Sequence, residues 1–221
     1  MHNIRAGCLV ALALFVSLTL QARAGDFFPL AVGNAWIYRG TAKWSTSKGA
    51  VKQGPLKWKM EVTKRLKNGP YQIAVVKGYP DDVCWYEPGK TPGEYLIVWE
   101  DKKYYLIDCS AAPDDLSKLL SDQTFLVGKI GVDSMILQSP LKKGLEFGME
   151  PDDRRTDGFY RWVVTERKKV GKSTRYVVTY MTNADHKIVE FAPTVGIVRF
   201  IYRHHGSIAE SELKLVEFNG K

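Results

Sequence analysis

Short runs of β-branched and aromatic residues, bounded by Gly, Pro, Asn or Asp, recur along most of the chain and predict strands. In residues 197–204 one face carries Val198, Phe200 and Tyr202, whereas the other face is half charged, which is typical of a sheet with one solvated face. The predicted strands cover residues 35–39, 56–66, 71–77, 95–99, 104–107, 160–167, 175–182, 187–191, 196–204 and 210–218.

Helical periodicity occurs once, over residues 113–120, where Leu116, Leu119 and Leu120 share a face and Ser110 or Asp114 could cap the first turn. Linkers at residues 67–70, 100–103 and 205–207 suit hairpin turns. We therefore expect a mainly β fold with one short helix. An antiparallel curved sheet or half-barrel fits this pattern better than a Greek-key sandwich.

An internal repeat divides the predicted fold into two related halves. The motif Pro-Leu-x-x-Gly-x-x-aromatic occurs at residues 29–36 and again at residues 140–147. In both halves a tryptophan, Trp58 or Trp162, precedes a tyrosine, Tyr71 or Tyr176, across a Lys/Arg-rich turn. Chance similarity of two short turns is the alternative. The repeat predicts a single domain, residues 25–221, whose halves cover about residues 27–112 and 138–221.

The first 24 residues have the pattern of a secretory signal peptide. Arg5 precedes an apolar run over residues 8–20, and Ala22-Arg23-Ala24 provides a small-residue cleavage site. A retained membrane anchor is the alternative, but the run is short for a span. The pattern predicts an exported mature chain, periplasmic or secreted, without a transmembrane segment.

Two cysteines, Cys84 and Cys109, lie outside the predicted signal peptide. An even cysteine count in an exported chain favours a disulfide. The segment between them reads as strand, turn, strand, so a simple meander would place the two cysteines on strands that are not neighbours. A Cys84–Cys109 disulfide and two free thiols therefore both remain open, with the disulfide preferred.

Candidate chemistry is sparse. Neighbours on a strand point to opposite faces, so His204 and His205 cannot share a metal ion, and no cofactor-binding loop or nucleophile motif is present. The sequence predicts no catalytic, metal or cofactor site. A hydrolase would require His204 or His205 to meet an acidic residue of the turns, namely Asp81, Asp82, Asp152 or Asp153.

Charge and aromatic usage supply the candidate binding residues. The formal net charge is +8, with basic clusters that include Arg65, Lys168 and Lys169. Such clusters could attract anionic lipid headgroups or glycans, or could only keep the edge strands soluble. Trp58, Trp162 and Tyr202 fall on predicted strands, where they could fill a core or line an apolar groove.

Three motifs resemble a loose group of largely uncharacterised exported bacterial β-rich proteins, many of them lipoproteins. The motifs are FPLxxGNxWxY at residues 27–38, PLxxG at residues 140–144 and FAPxVGxV at residues 191–198. Phe147 stands where the group tends to have tryptophan, and Cys8 begins the apolar run instead of ending it, unlike a lipoprotein. The resemblance implies export to the cell envelope and an antiparallel β fold, and it transfers no catalytic residue.

Export, architecture and the lack of catalytic motifs together favour a non-enzymatic envelope protein. We expect it to bind a hydrophobic or anionic envelope component, such as a lipid or an anionic glycan. The alternatives are a structural accessory subunit of an envelope protein complex and, less favoured, a hydrolase. Nucleic acid is not an expected partner of an exported chain.

Overall fold

The computed structural model describes residues 26–109, 113–150, 152–153 and 155–220. The predicted signal peptide, residues 1–24, and the candidate helix cap Ser110 lie outside these ranges. Within them, twelve strands form one antiparallel sheet with the strand order β6-β5-β4-β3-β2-β1-β12-β11-β10-β9-β8-β7. The strands are β1 (Ala35–Ser45), β2 (Val51–Asn68), β3 (Tyr71–Lys77), β4 (Glu94–Glu100), β5 (Lys103–Asp108), β6 (Met135–Gln138), β7 (Glu146–Phe147), β8 (Trp162–Val170), β9 (Ser173–Met181), β10 (Asp185–Ala192), β11 (Gly196–His204) and β12 (Glu210–Asn219).

The sheet curls until its two edge strands, β6 and β7, lie side by side without pairing, so it is a nearly closed barrel. Gly148, just after β7, shows how closely the edges approach. A Cβ on this glycine would lie 3.3 Å from the carbonyl oxygen of Met135 on β6. We call the unpaired junction of β6 and β7 the seam. The mainly β, curved antiparallel architecture predicted from the sequence is confirmed.

Large side chains fill the concave face of the sheet. Trp36, Tyr38, Phe191 and Phe200 are almost completely buried there. The Trp36 indole donates a hydrogen bond of 2.6 Å to the Val195 carbonyl, so β1 is tied to the β10–β11 turn across the interior. The concave face is therefore a packed core over most of its area and not an open groove.

Two short helices cover part of the convex face, where the sequence predicted one. Helix α1 (Pro113–Ser121) was expected, and α2 (Gln123–Val127) was not. Leu119 of α1 and Leu126 of α2 pack on the outward side chains of β3 to β5, such as Leu96. Asp122 separates the helices and accepts a hydrogen bond from the Phe125 amide at 3.1 Å. Neither helix among the described residues is long and apolar enough to cross a membrane.

The two repeat motifs make the same backbone hydrogen bonds. The Gly33 amide donates to the Val62 carbonyl at 2.9 Å, and the Gly144 amide donates to the Val164 carbonyl at 2.8 Å. The Val62 and Val164 amides each donate back to the residue after that glycine, at 3.0 and 2.9 Å. Each motif thereby anchors the start of its half to the second strand of that half.

The predicted disulfide was wrong, because Cys84 and Cys109 are free thiols. Cys84 packs against the concave core, whereas Cys109, just after β5, points to the convex face beneath Leu119 and Leu126. The two sulfur atoms therefore lie on opposite faces of the sheet. Disulfide geometry cannot be reached from there without rebuilding β5.

Candidate functional site

A cavity of about 340 Å³ lies at the seam, and we call it the seam cavity. One wall comes from β4, β5, β6 and the 3-10 turns Pro80–Val83 and Val132–Ser134, and the other wall comes from β8, β9 and β10. The cavity thus lies between the two halves of the sheet. Its lining residues are Asp81, Tyr95, Leu106, Asp108, Asp133, Ser134, Ile136, Trp162, Tyr180 and Lys187.

The second-half wall is built by strand register. Trp162 of β8 pairs with Tyr180 of β9, and Tyr180 pairs with Lys187 of β10. Directly paired residues point to the same face of a sheet, so these side chains stand side by side on the concave face. The Trp162 and Tyr180 ring centroids are 5.1 Å apart. The wall is therefore an aromatic surface that ends in a cationic group.

Lys187 forms an ion pair with Asp81, at 2.6 Å between Nζ and Oδ2. Burial alone would lower the pKa of Lys187, but the charge and hydrogen bond of Asp81, together with smaller contributions from Cys84 and Tyr180, outweigh it, so the pKa of Lys187 lies above its ordinary value. The lysine is therefore charged at neutral pH. It joins β10 in one half to the turn after β3 in the other half.

Asp82 fixes the position of Tyr95 on the opposite wall. The buried Asp82 carboxylate accepts hydrogen bonds from the Tyr95 hydroxyl at 2.8 Å and from the Gly93 amide at 2.9 Å. Burial raises the pKa of Asp82, and these two hydrogen bonds partly oppose that shift. Tyr95 is consequently held with its hydroxyl directed at Asp82 and its ring on the cavity.

The charged lining is mainly acidic. Asp81, Asp108 and Asp133 face a single lysine, Lys187, which is already paired with Asp81. Among the described residues, no group of three His, Cys, Asp or Glu side chains has metal-binding geometry. The lining combines aromatic rings, the aliphatic side chains of Leu106 and Ile136, carboxylates, hydroxyl groups and the Lys187 ammonium group. Such a lining suits a small ligand that has an apolar part and a hydrogen-bonding part.

The six predicted binding residues do not form one site. Trp162 lines the seam cavity, and Tyr202 extends the same row one strand further, because it pairs with Lys187. Trp58 is buried in the core and donates to the Gly78 carbonyl at 3.0 Å. Of the three predicted aromatic residues, only Trp162 lines the seam cavity, and Tyr202 lies three strands away from it on the same face.

The predicted basic residues lie apart from one another. Arg65 pairs with Ala74 of the concave core and stacks over the Trp99 ring at 4.9 Å. Lys168 lies 3.7 Å from Glu190 on the convex face. Lys169, next to it, is exposed. Because Arg65 and Lys168 occupy different faces of the sheet, the three residues do not form a common basic surface.

The arrangement required for a hydrolase does not form among the described residues. Asp81 is paired with Lys187, and Asp82 is hydrogen-bonded to Tyr95. His204 Nδ1 lies 3.0 Å from Ser207 Oγ, but that oxygen also accepts the Ala209 amide at 3.1 Å, which makes it the cap of a hairpin turn. No hydrogen bond or ion pair joins either histidine to the four aspartates considered.

Lys187 was not predicted as a site residue, and Asp81 was considered only as a partner of His204 or His205 in a hydrolase. The sequence does place Asp81 in an acidic pair of a turn and Lys187 at the start of a predicted strand. A lysine on the inward face of an apolar strand was the one available signal. It points to a buried partner, because lysine is almost never buried unpaired.

Comparisons with known proteins give structural likenesses only. No protein family and no curated protein matches the sequence. The structure is similar to a protein from Bacteroides fragilis, provisionally described as exported and with a YmcC-like fold, at 13% identity and a TM-score of 0.42 over 88% of this chain and 99% of that chain.

Two further solved structures are similar. One is provisionally described as a lipoprotein from Parabacteroides distasonis, at 12% identity and a TM-score of 0.36 over 88% of this chain and 99% of that chain. The other is provisionally described as an outer membrane lipoprotein-sorting protein domain from Vibrio parahaemolyticus, at 8% identity and a TM-score of 0.25 over 86% of each chain. Likeness at this level says nothing about the ligand or partner of this chain.

Proposed function

We propose that this chain is an exported, non-catalytic protein of the cell envelope that binds a small amphipathic component in the seam cavity. The leader-like residues 1–24 support export to the periplasm or beyond. The repeated motif supports a fold made of two related halves, and the cavity lies between them. The observation that carries the binding proposal is the cavity itself, with aromatic rings on one side and carboxylates on the other.

The size of the cavity limits the ligand. Small-molecule sites in proteins occupy roughly 300–1,000 Å³, and this one holds about 340 Å³. The remainder of the concave face is filled by side chains such as Trp36 and Phe200, so two acyl chains have no room. The proposed ligand is therefore a compact molecule, or one end of a larger envelope component.

A cavity-filling variant tests the proposal. Ile136→Trp adds a ring to the lining, and the matched control Val216→Trp adds the same ring at an exposed position on β12. The chain and both variants, exported and purified from the periplasm, are analysed by native mass spectrometry followed by solvent extraction. The proposal requires a bound species of defined mass on the wild type and on Val216→Trp, and its loss from Ile136→Trp. An empty wild-type chain, or equal loading of all three, would contradict it.

A basic row on the convex face favours a second candidate function, which is docking to an acidic envelope partner. Lys57, Arg39 and Lys214 are direct cross-strand partners on β2, β1 and β12, and Lys214 pairs in turn with Arg199 on β11. Like charges directly opposite each other destabilise a sheet. Among the described residues, Lys57 and Arg39 have no ion-pair partner to offset this cost.

Lys214 and Arg199 are paired with Glu212 and Glu190. An acidic surface laid on this row, which is about 14 Å across, would therefore neutralise the remaining charges of Lys57 and Arg39. Charge reversal by Arg39→Glu should then abolish capture of an envelope protein that the wild-type chain retains. Ile136→Trp should leave that capture unchanged, which separates this candidate function from ligand binding at the seam. Capture that survives Arg39→Glu would exclude the row as the docking surface.

A further inference from the structure

Trp85 stands in an unusual conformation on the surface. It is 52% exposed and has a φ angle of 55°, in the left-handed region that side chains larger than glycine rarely adopt. Residues held in such conformations cost free energy and are concentrated at ligand clamps and active sites. An exposed tryptophan held this way calls for a reason beyond packing.

The surrounding residues hold the indole in place before any ligand arrives. The Trp85 and His204 ring centroids are 4.4 Å apart, and His204 Nδ1 is in turn hydrogen-bonded to Ser207 Oγ at 3.0 Å. The Tyr202 ring lies 6.2 Å away on the same side. Trp85 therefore rests on β11, while about half of its surface remains open to solvent.

Trp85 borders a cleft of about 270 Å³, and we call it the aromatic cleft. Two further rings belong to it, Trp44 and Tyr86, with centroids 5.9 Å apart and planes at 74°. Trp44 lies against Gly54 of β2, where a Cβ would come within 3.1 Å of its ring. The lining consists of Trp44, Ser45, Trp85, Tyr86, Glu87, Ser207 and Ala209, and none of these residues lines the seam cavity.

One carboxylate belongs to the aromatic cleft. Glu87 is exposed, and its side-chain carboxylate has no hydrogen-bond or ion-pair partner among the described residues, although its backbone carbonyl accepts from the Lys90 amide at 3.1 Å. The nearby Lys90 directs its ammonium group to the Cys84 carbonyl at 3.3 Å. The cleft thus offers three aromatic rings and an unpaired negative charge.

A comparable combination of an aromatic ring and a carboxylate, with a cation bound between them, occurs around Tyr160. Tyr160, also exposed and with a φ angle of 58°, carries the Arg155 guanidinium over its ring at 4.6 Å. Asp157 neutralises that guanidinium at 2.9 Å. In this group, a cation stacks on the ring of a tyrosine whose backbone is in the left-handed region, and a carboxylate pairs with that cation. Trp85 and Glu87 provide the ring and the carboxylate, and no lysine or arginine among the described residues stacks on Trp85.

We propose that the aromatic cleft binds an alkylammonium group, such as the trimethylammonium group of choline. Rings that enclose such a cation attract it through their negative faces, and desolvation strengthens the attraction. Glu87 supplies the compensating charge. This site is independent of the seam cavity and would remain if the seam cavity proved empty.

Titration with choline, followed by tryptophan fluorescence and by calorimetry, tests the proposal. The neutral isostere 3,3-dimethylbutan-1-ol has the same shape without the charge, so it should bind at least about tenfold more weakly if cation–π attraction dominates. Trp85→Ala should weaken choline binding about tenfold or more, and Glu87→Gln should weaken it by a smaller factor, about threefold. The matched control Tyr160→Ala should leave it unchanged, because that ring is already occupied by Arg155.

Two results would overturn the proposal: equal affinity for choline and its neutral isostere, or unchanged affinity in Trp85→Ala. Trp85→Phe, which keeps a ring, guards against misfolding and should retain part of the binding. Flotation with phosphatidylcholine or phosphatidylglycerol vesicles identifies the source of the cation. If the chain floats with phosphatidylcholine vesicles but not with phosphatidylglycerol vesicles, and Trp85→Ala does not float, the ligand is a lipid headgroup. If the chain binds choline but floats with neither kind of vesicle, the ligand is a soluble cation.

Discussion

Lys187 and Asp81 meet at 2.6 Å although they are 106 residues apart in the chain. Lys187 belongs to the inward-facing row of β10, and Asp81 lies in the turn after β3, so their ion pair links the two halves at the seam cavity. No ladder hydrogen bond joins β6 to β7 at the seam. This ion pair therefore links the two halves directly on that side of the sheet.

The first prediction concerns the loss of that ion pair. Lys187→Met keeps the length of the side chain but leaves the Asp81 carboxylate without its partner. Removing one member of a buried ion pair costs about 3–5 kcal/mol, and the partial exposure of both groups reduces this to about 1–3 kcal/mol. Urea unfolding should show the loss, and Lys187→Met combined with Asp81→Leu should recover part of it.

The pH dependence of this ion pair has a defined sign. The pKa of Lys187 is higher in the folded chain than in the unfolded chain, where it is about 10.4. The stabilisation is therefore complete below about pH 10 and is lost as the pH rises through the folded value. The stability difference between the wild type and Lys187→Met should be constant over neutral pH. A difference that disappears near neutrality would contradict the ion pair.

The second prediction concerns Asp82, whose pKa burial raises. The folded chain then binds a proton at a higher pH than the unfolded chain, where the pKa is about 3.9, so this group's contribution to stability falls as the pH rises through that window. The stability advantage of the wild type over Asp82→Asn should therefore be larger at acidic than at neutral pH. Tyr95→Phe removes a hydrogen bond that lowers the pKa of Asp82, so the pKa of Asp82 in the folded chain should rise further. The pH range over which its contribution to stability changes should then extend to higher pH. Unfolding midpoints of the wild type and the variants, measured across the acidic pH range, test the direction of this pH dependence.

The third prediction concerns the thiols. Burial raises the pKa of Cys84, and it raises the pKa of Cys109 to about 11. Because the thiolate is the reactive form, iodoacetamide at about pH 8 should label the folded chain at least about tenfold more slowly than the denatured chain. Denatured mature protein, from which Cys8 has been removed with the predicted signal peptide, should gain two adducts by mass when it is prepared without reductant. A chain that gains adducts only after reduction would instead contain the disulfide that we exclude.

The fourth prediction concerns the contact between β1 and β12. A Cβ on Gly40 would lie 1.7 Å from the Glu212 carbonyl oxygen, so Gly40→Ala forces the two central strands apart. Overpacking of this kind costs about 3 kcal/mol or more. At the control position, Gly128 of the α2 cap, the nearest atom would be 3.5 Å away, and Gly128→Ala should be nearly neutral. Thermal unfolding of both variants provides the comparison.

The sequence predicted strands of intermediate length best. The bounds of β3 and β11 agree with the structure, because alternation over seven to nine residues is a strong signal, whereas β1 and β2 extend well beyond the predicted ranges 35–39 and 56–66. Met135–Gln138 and Glu146–Phe147 were missed, since four and two residues are too few to show a period. These two segments are the edges that define the seam, so the gap between them could not be anticipated.

The candidate sites were less predictable than the fold, because they depend on contacts between distant segments. Trp162 was singled out for its strand position, and the structure does place it at the seam cavity. The predicted Cys84–Cys109 disulfide rested on the even number of cysteines, whereas the alternation that begins in β5 places Cys109 on the opposite face of the sheet from Cys84. Trp85 lies in a loop, and no pattern of apolar and polar residues reveals a backbone in the left-handed conformation.

The pairing of β1 with β12 has a consequence for how the chain acquires its structure. Ala35 is the register partner of Asn219, so the central ladder joins the first strand to the last. Each half can form from local hairpins, but bringing its distant end strands together carries the largest loop-closure entropy and is expected to be slow. Under the proposed export, a chain that emerges from a translocation pore amino end first would not complete its sheet until β12 has been released. Loss of those residues would leave β1 and β11 as long, unprotected edges, which are prone to aggregation.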